Sequence, residues 1–370
     1  MRVTVIDLWG REAMLHYTSQ LANSLTHFPD VQVTVLLPKG SDRSLFELAV
    51  EVDFLDVVMD ASWAQLLSIP FKLAKLPRFF QTISQTKPDV LHLNNCHVWY
   101  LFTLPRLSRR YPIVSTLHDV EPHPGIDDSW RKQKEIDTSV RFSDQIFIHG
   151  EVLKHKLHAK YPFLSQDQTT VIPLGEFSFF TRYPSDVMEE QNVVLFFGRI
   201  RAYKGLEYLI EAAALVSQKI PDVKFLIAGN GDLRPYQKLL RNRSNFEIYN
   251  RYIPDHQIPS LFKRASIVVL PYTQASQSAV VPVAYAFEKP VVTTNVGCLP
   301  DVVEDGRTGL IVPPRDSSAL AEALLRLLHD DDLRKSMGRN AYKKMRNELG
   351  WDKIAATTLS IYQAAKGKLP

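Results

Sequence analysis

Two successive runs of short apolar segments, alternating with helix-length segments, constrain this chain more than any other feature. In the first run the strand candidates are 3–8, 33–37, 90–93, 113–117, 145–149 and 169–172, with helical periodicity over 13–25 and 73–85. The second run has candidates at 193–197, 223–228, 246–249, 267–270, 291–293 and 310–312. Strands separated by helices build parallel sheets, because a parallel neighbour needs a long crossover and a helix supplies it. Parallel sheets are covered on both faces, so their strands read as nearly unbroken apolar runs, as Val193-Val194-Leu195-Phe196-Phe197 does. The chain breaks near Pro173-Leu174-Gly175, and 177–190 shows no clean period. The expectation is two α/β units with a cleft between them, the first over 1–173 and the second over 174–352. A length of 370 residues suits two domains.

Composition excludes several classes. The apolar fraction of 45% and charged fraction of 23% are those of an ordinary globular protein. A formal charge of +4 over 370 residues gives no case for nucleic acid as a partner. Cys96 and Cys298 lie far apart and make no metal-ligand spacing, which suits a reducing compartment. Met1-Arg2 leads straight into a strand, so no signal peptide is expected, and no run of about 18 apolar residues is present to span a bilayer. A cytoplasmic location follows as an expectation.

Ligands of open α/β sheets sit beyond the carboxyl ends of the strands, so the loops there carry the chemistry. After 193–197 come Gly198-Arg199-Ile200-Arg201-Ala202-Tyr203-Lys204-Gly205, then Leu206, Leu209, Ile210, Ala213 and Ala214 at helical spacing. Arg199 and Lys204 thus stand where a helix opens, and backbone N–H groups with two cations beside them attract an anion, a phosphate or diphosphate. Gly229-Asn230-Gly231-Asp232 follows the next strand, either a plain tight turn or a place where backbone approaches a ligand closely. The loop 271–279 leads into an apolar helix over 280–287, with Ser276 and Ser278 as candidate N-caps, with or without a phosphate to bind. In the first half, Gly10 lies in the loop after the first strand, and Asn94-Asn95 after 90–93 is a loop of the same type. Thr116-Leu117-His118-Asp119 ends another strand, and His118 is either a donor to a sugar hydroxyl or phosphate oxygen, or part of a structural turn. Glu121 and His123 lie in a Pro-rich loop that could close over a cleft.

The chain resembles the retaining glycosyltransferases of family 4, which have the GT-B architecture of two Rossmann-like parallel-sheet domains. The features shared are Phe197-Gly198-Arg199 with Lys204-Gly205, Gly229-x-Gly231, Lys289-Pro290-Val291-Val292, Val296-Gly297-x-Leu299-Pro300, Asp305-Gly306-x-Thr308-Gly309-Leu310 and Trp351. A looser match runs through the first half, including Thr116-x-His118-Asp119 and Ile172-Pro173-x-Gly175. The resemblance implies a nucleotide diphosphate sugar as donor, bound in the second domain, and an acceptor bound mostly in the first. It implies that Arg199 and Lys204 grip the diphosphate and that Gly198, Gly229 and Gly231 line the donor site. His118 would reach the donor sugar or its phosphate, Gly10 would face it from the other domain, and Ser278 and Ala279 would offer backbone N–H groups to the phosphate. A last helix over about 353–370 would cross back to the first domain. No cofactor beyond the donor and no metal is expected; Asp330-Asp331-Asp332 reads as a solvated helix end after 324–328.

The resemblance also exposes a departure. Most members carry two glutamates eight positions apart, and counting back from Pro290 puts Ala275 and Val283 there, with Glu288 where glycine is usual. The Ser276-Gln277-Ser278 segment resembles a branch that lacks the first glutamate, so divergence rather than loss of activity is expected. The expected reaction is metal-independent transfer with retention, by front-face displacement assisted by the leaving phosphate, to a saccharide or lipid-linked saccharide in polysaccharide or glycolipid synthesis. The alternative is a catalytically silent binding or scaffold subunit; a nucleotide-sugar isomerase is opposed by the lack of acid pairs. The basic, aromatic stretch 71–80, close after Trp63, Leu66 and Leu67, suits either a helix packed on the first domain or a peripheral contact with anionic lipid.

Overall fold

Each apolar run of the first half becomes a strand of one parallel sheet. In chain order the strands are β1 Arg2–Ile6, β2 Gln32–Pro38, β3 Glu51–Leu55, β4 Val90–Leu93, β5 Ile113–Leu117, β6 Gln145–Ile148 and β7 Thr169–Val171. They lie in the order β3-β2-β1-β4-β5-β6-β7. The structure is a computed structural model that describes residues 1–56, 74–122, 129–241 and 244–367. It divides into two compact units, Met1–Leu174 with Trp351–Pro370, and Gly175–Gly350.

In the first unit β1 is central, pairing Val3 with Val33 on one side and with Val90 on the other. Its residues 3–6 are buried on both faces, which is why they read as a continuous apolar run. Helix Glu12–Thr26 packs Leu15, Tyr17, Leu21 and Leu25 into one core with Trp351, Ile354, Ala355, Tyr362 and Ala365 of the last helix, Trp351–Lys366. The Trp351 ring meets Tyr17 edge-on at 5.1 Å. The return to the first unit therefore begins at Trp351. Strand β3 has no counterpart among the sequence expectations. It is an edge strand whose Glu51, Asp53 and Phe54 are exposed, so its pattern is that of a solvated surface.

Residues 57–73, with Trp63, Leu66 and Leu67, lie outside the described residues, as does His123. The described part of the basic, aromatic stretch is the start of helix Leu76–Thr86, which buries Phe79 and Ile83 in a core with Trp99, Tyr100 and Leu104. There the stretch is a packed helix, with Arg106 stacked over Phe80 at 5.2 Å. Among the described residues no helix is long and apolar enough to cross a membrane.

The second unit holds β8 Val193–Phe197, β9 Lys224–Ala228, β10 Phe246–Tyr249, β11 Ile267–Leu270, β12 Val291–Thr294 and β13 Gly309–Val312. Their order is β10-β9-β8-β11-β12-β13, again all parallel. Helices Leu206–Lys219 and Ser317–His329 share one core with β8 and β9 through Leu209, Ile210, Ala213, Leu320, Leu324 and Leu327. Asp330 is at once the C-cap of helix Ser317–His329 and the N-cap of helix Asp331–Glu348, accepting from Leu333 N at 2.9 Å, while Asp331 pairs with Arg334 at 2.6 Å. The three aspartates are exposed, the solvated helix end after 324–328 that the sequence implies. In each sheet the strand order reverses beside the first strand of the unit, between β1 and β4 and between β8 and β11. A crevice at the carboxyl ends of such a pair is where α/β sheets take ligands.

Candidate functional site

The loop after β8 and the loop after β11 meet at the reversal point of the second sheet. Gly205 has φ +66 and is the N-cap of helix Leu206–Lys219; a Cβ there would lie 1.9 Å from the Pro271 carbonyl oxygen. Thr273 N donates to Tyr203 O at 2.8 Å. Only glycine lets the backbone turn left-handed and come this close. The two loops are therefore fastened backbone to backbone, with Lys204 on one and Tyr272 on the other.

Lys204 is largely buried, with its Nζ 3.8 Å from the centre of the Tyr272 ring and 5.5 Å from that of Tyr203. Burial pushes its pKa down to about 8; Tyr203 opposes that shift and the neighbouring Arg199 adds to it. No carboxylate among the described residues forms an ion pair with Lys204 or with the exposed Arg199. Burial pushes the pKa of Glu207, in the first turn of the following helix, upward. A largely buried ammonium held by ring faces, beside an exposed guanidinium, has its donors left for an outside acceptor.

The glycines of the next loop lie where two backbones come close together. A Cβ on Gly229 (φ +147) would lie 2.0 Å from Gly198 O, and one on Gly231 would lie 2.2 Å from Ile200 O. Gly198 N donates to Ala228 O at 2.9 Å, Ile200 N donates to Asn230 O at 2.8 Å, and Ile200 and Gly231 form a bridge. The close approach is between the two loops. These glycines let the loop after β9 pack against the backbone of the loop after β8.

Ser276 is not a cap: its carbonyl accepts from Cys298 N at 3.1 Å. The Ser278 hydroxyl accepts from Val280 N at 3.3 Å at the start of helix Val280–Ala286, and it also pairs with the Tyr272 hydroxyl at 3.3 Å. Ala279 is the N-cap residue, and its carbonyl accepts from Val283 N. Val283 is a buried core residue in a helix buried along its whole length. The position of the family's second glutamate is thus filled by packing.

At the reversal point of the first sheet the polar groups are tied to each other. Asp7 is fully buried and accepts from Trp9 N (2.9 Å), Gly10 N (3.0 Å), Thr18 Oγ1 (2.8 Å) and Asn95 Nδ2 (2.6 Å). Burial pushes its pKa up, against those four hydrogen bonds. Gly10 has φ +54, and a Cβ there would strike Ser41 Oγ at 2.2 Å. Asn94 Nδ2 donates to Thr18 Oγ1. The Asn94 carbonyl accepts from His118 Nε2 at 2.9 Å, and His118 Nδ1 lies 3.2 Å from His149 Nε2. His149 Nδ1 donates to Ile172 O at 3.1 Å. Burial pushes His118 down to about 4 and His149 down to about 3, so both are neutral at pH 7.

His118 Nε2 therefore donates within the first unit, and with both rings neutral and each ring proton given to a carbonyl, the His118 Nδ1 to His149 Nε2 contact is one of proximity between two bare ring nitrogens. Sequence reasoning singled out His118 and the Asn94-Asn95 loop but not Asp7, His149 or Tyr272. Asp7 had a readable signal, a lone acid at the end of an otherwise apolar strand. Tyr272 had none, because its role depends on a loop 68 positions away by number. Among the described residues no group of three metal-ligating side chains is present.

Known proteins match both halves. The family model described as "Glycosyltransferase Family 4" matches residues 16–175, and "Glycosyl transferases group 1" matches residues 180–344. An alpha-D-kanosaminyltransferase of Streptomyces kanamyceticus is 36% identical over 157 residues, 42% of this chain and 41% of the relative. An uncharacterized glycosyltransferase of Methanocaldococcus jannaschii is 30% identical over 301 residues, 75% of this chain and 76% of the relative. Among solved structures, the sucrose-phosphate synthase of Thermosynechococcus elongatus has a TM-score of 0.80 at 19% identity, covering 100% of both chains. Anabaena HepE, solved with UDP-glucose, has a TM-score of 0.76 at 19% identity, covering 98% of this chain and 100% of that one. At such identity the likeness to these structures is one of fold.

Proposed function

We propose a reaction from an established premise, that this chain belongs to glycosyltransferase family 4: it moves a sugar from a nucleotide diphosphate sugar to a saccharide or lipid-linked saccharide. The observation that carries this reading is the pair Arg199 and Lys204, without a carboxylate partner among the described residues, where the second sheet reverses its strand order. As the glycosidic bond to the donor breaks, negative charge grows on the leaving phosphate oxygen. Preorganised cations lower the barrier because they need no rearrangement when that charge develops. Ser278 and Ala279 belong to the same loop system, through Tyr272.

The finer parts of the proposal are retention at the anomeric carbon, front-face displacement and independence from divalent metal. Gly198, Gly229 and Gly231 hold the anion loop in shape, and His118 and Gly10 take part in sugar recognition from the first unit. A thermal-shift panel of UDP, GDP, ADP and dTDP, and of their sugars, tests donor binding, since a bound ligand raises stability by mass action. Proton NMR of the product formed with an acceptor extract then gives the anomeric configuration. Stabilisation by one nucleotide diphosphate and an axial-to-axial outcome support the reading. Binding without turnover by any donor would leave a silent binding subunit, and no binding would remove the proposal.

A further inference from the structure

The contact between Lys204 and Tyr272 explains how a cation can be kept ready for an anion without being neutralised first. A buried ammonium is usually paired with a carboxylate, and that partner would then compete with a phosphate for the same three N–H groups. Here the ring face of Tyr272 takes the carboxylate's place at 3.8 Å. A ring quadrupole attracts a cation but accepts no conventional hydrogen bond, so the donors of Nζ stay available. The ring is itself fixed. Tyr272 is fully buried, its carbonyl accepts from Thr294 Oγ1, and its hydroxyl lies 3.3 Å from Ser278 Oγ. Burial also pushes its own ionisation up, so it faces Lys204 as a neutral phenol.

From these contacts we propose that Tyr272 is the positioning residue of the anion site, holding the Lys204 ammonium charged and aimed so that a nucleotide diphosphate meets it already in place. This rests on the reading of Arg199 and Lys204 as the diphosphate grip. The groups that bear on the Lys204 charge are Arg199 and Tyr203 on its own loop and Tyr272 on the facing one, with Glu207, its pKa pushed up by burial, in the next helix. The ring offsets part of the penalty that burial and Arg199 impose on the charged form. Without the ring, Lys204 loses its proton at lower pH, and anion affinity falls most on the alkaline side of neutrality.

The test compares Tyr272→Phe, which keeps the ring, with Tyr272→Leu, which removes it, and with pentafluorophenylalanine at the same position, which keeps the shape but reverses the ring quadrupole. UDP and inorganic pyrophosphate are titrated calorimetrically from pH 6 to pH 9. Tyr272→Phe should bind within about twofold of wild type with the same pH profile. The leucine and pentafluorophenylalanine variants should lose about tenfold in affinity at pH 8, on the scale of a desolvated cation–π contact, with the midpoint of binding loss shifted to lower pH. A purely structural role would lower affinity equally at every pH and would overturn the proposal, as would an unchanged fluorinated variant. If the leucine variant fails to fold, the two aromatic variants decide. The Lys204 Cε chemical shift, followed by carbon-13 NMR against pH, reads the same midpoint without any ligand. Should wild type bind neither probe, the nucleotide-sugar reading fails, while this titration still supports or overturns the role of Tyr272.

Discussion

The two sheets reverse their strand order in the same way, yet they treat the polar groups at that point oppositely. In the first unit Asp7, Thr18, Asn94 and His118 form a hydrogen-bonded chain, and His149, packed beside His118, donates to the Ile172 carbonyl. In the second, Arg199 and Lys204 stand without a carboxylate partner among the described residues, and ring faces hold the lysine. A satisfied network rigidifies a loop cluster, whereas cations with free donors make a binding site. The difference is what supports the proposal that an anion binds in the second unit.

The sharpest way to break this comparison is to remove the two cations together. Arg199→Ala with Lys204→Ala should reduce affinity for UDP about 100- to 10,000-fold, at roughly 1.5–3 kcal/mol per charge-assisted contact. Calorimetry reads it, and unchanged circular dichroism shows that the fold is kept. Acid tests the other side. His92, His118 and His149 are held neutral by burial at about 3, 4 and 3, below the ordinary 6.5 of a histidine. Below pH 6.5 the unfolded chain therefore binds more protons than the folded one, and stability falls as pH falls. At pH 5 each histidine forfeits about 2 kcal/mol, all of it in the first unit. Urea unfolding followed by a probe in each unit should show the first unit weakening first, and equal weakening of both would contradict the comparison.

Smaller effects sharpen it. Gly205→Ala forces a Cβ onto the Pro271 carbonyl and should cost roughly 1–3 kcal/mol of stability together with UDP affinity. Gly40→Ala, also at positive φ but in open space, should cost about 1 kcal/mol at most and leave binding alone. Lys204 sets a mild pH dependence. Its charged form is the one that binds, so UDP affinity should fall as pH rises through about 8, by up to about tenfold per pH unit. The smallest effect is expected from Asp7→Asn, which places an amide against N–H donors in the first unit and should leave calorimetric UDP affinity within about twofold.

Much of this was legible from the chain. The strands buried on both faces stand in the sequence as apolar runs, and the reversal loops follow them directly. What escaped was decided by contacts between distant segments. Strand β3 is an exposed edge whose polar alternation carries no apolar run. Gly229 and Gly231 were readable as special, but their reason, the approach of Gly198 O and Ile200 O, lies in a loop 31 positions earlier by number. His118 was readable as a strand-end histidine, whereas His149, packed beside it, lies on a neighbouring strand end and looked like the tail of an apolar run. Tyr272 escaped because a tyrosine after a strand is usually core, and only the folded loops put a lysine on its ring.

If Arg199 and Lys204 form the diphosphate grip, a calorimetric comparison of UDP with uridine will show it. Wild type should bind UDP at least about 100-fold more tightly than uridine, because two cations meet the diphosphate. In the Arg199→Ala, Lys204→Ala variant that advantage should vanish while uridine binding persists. A variant that still prefers UDP by the wild-type margin would place the diphosphate elsewhere and contradict the account.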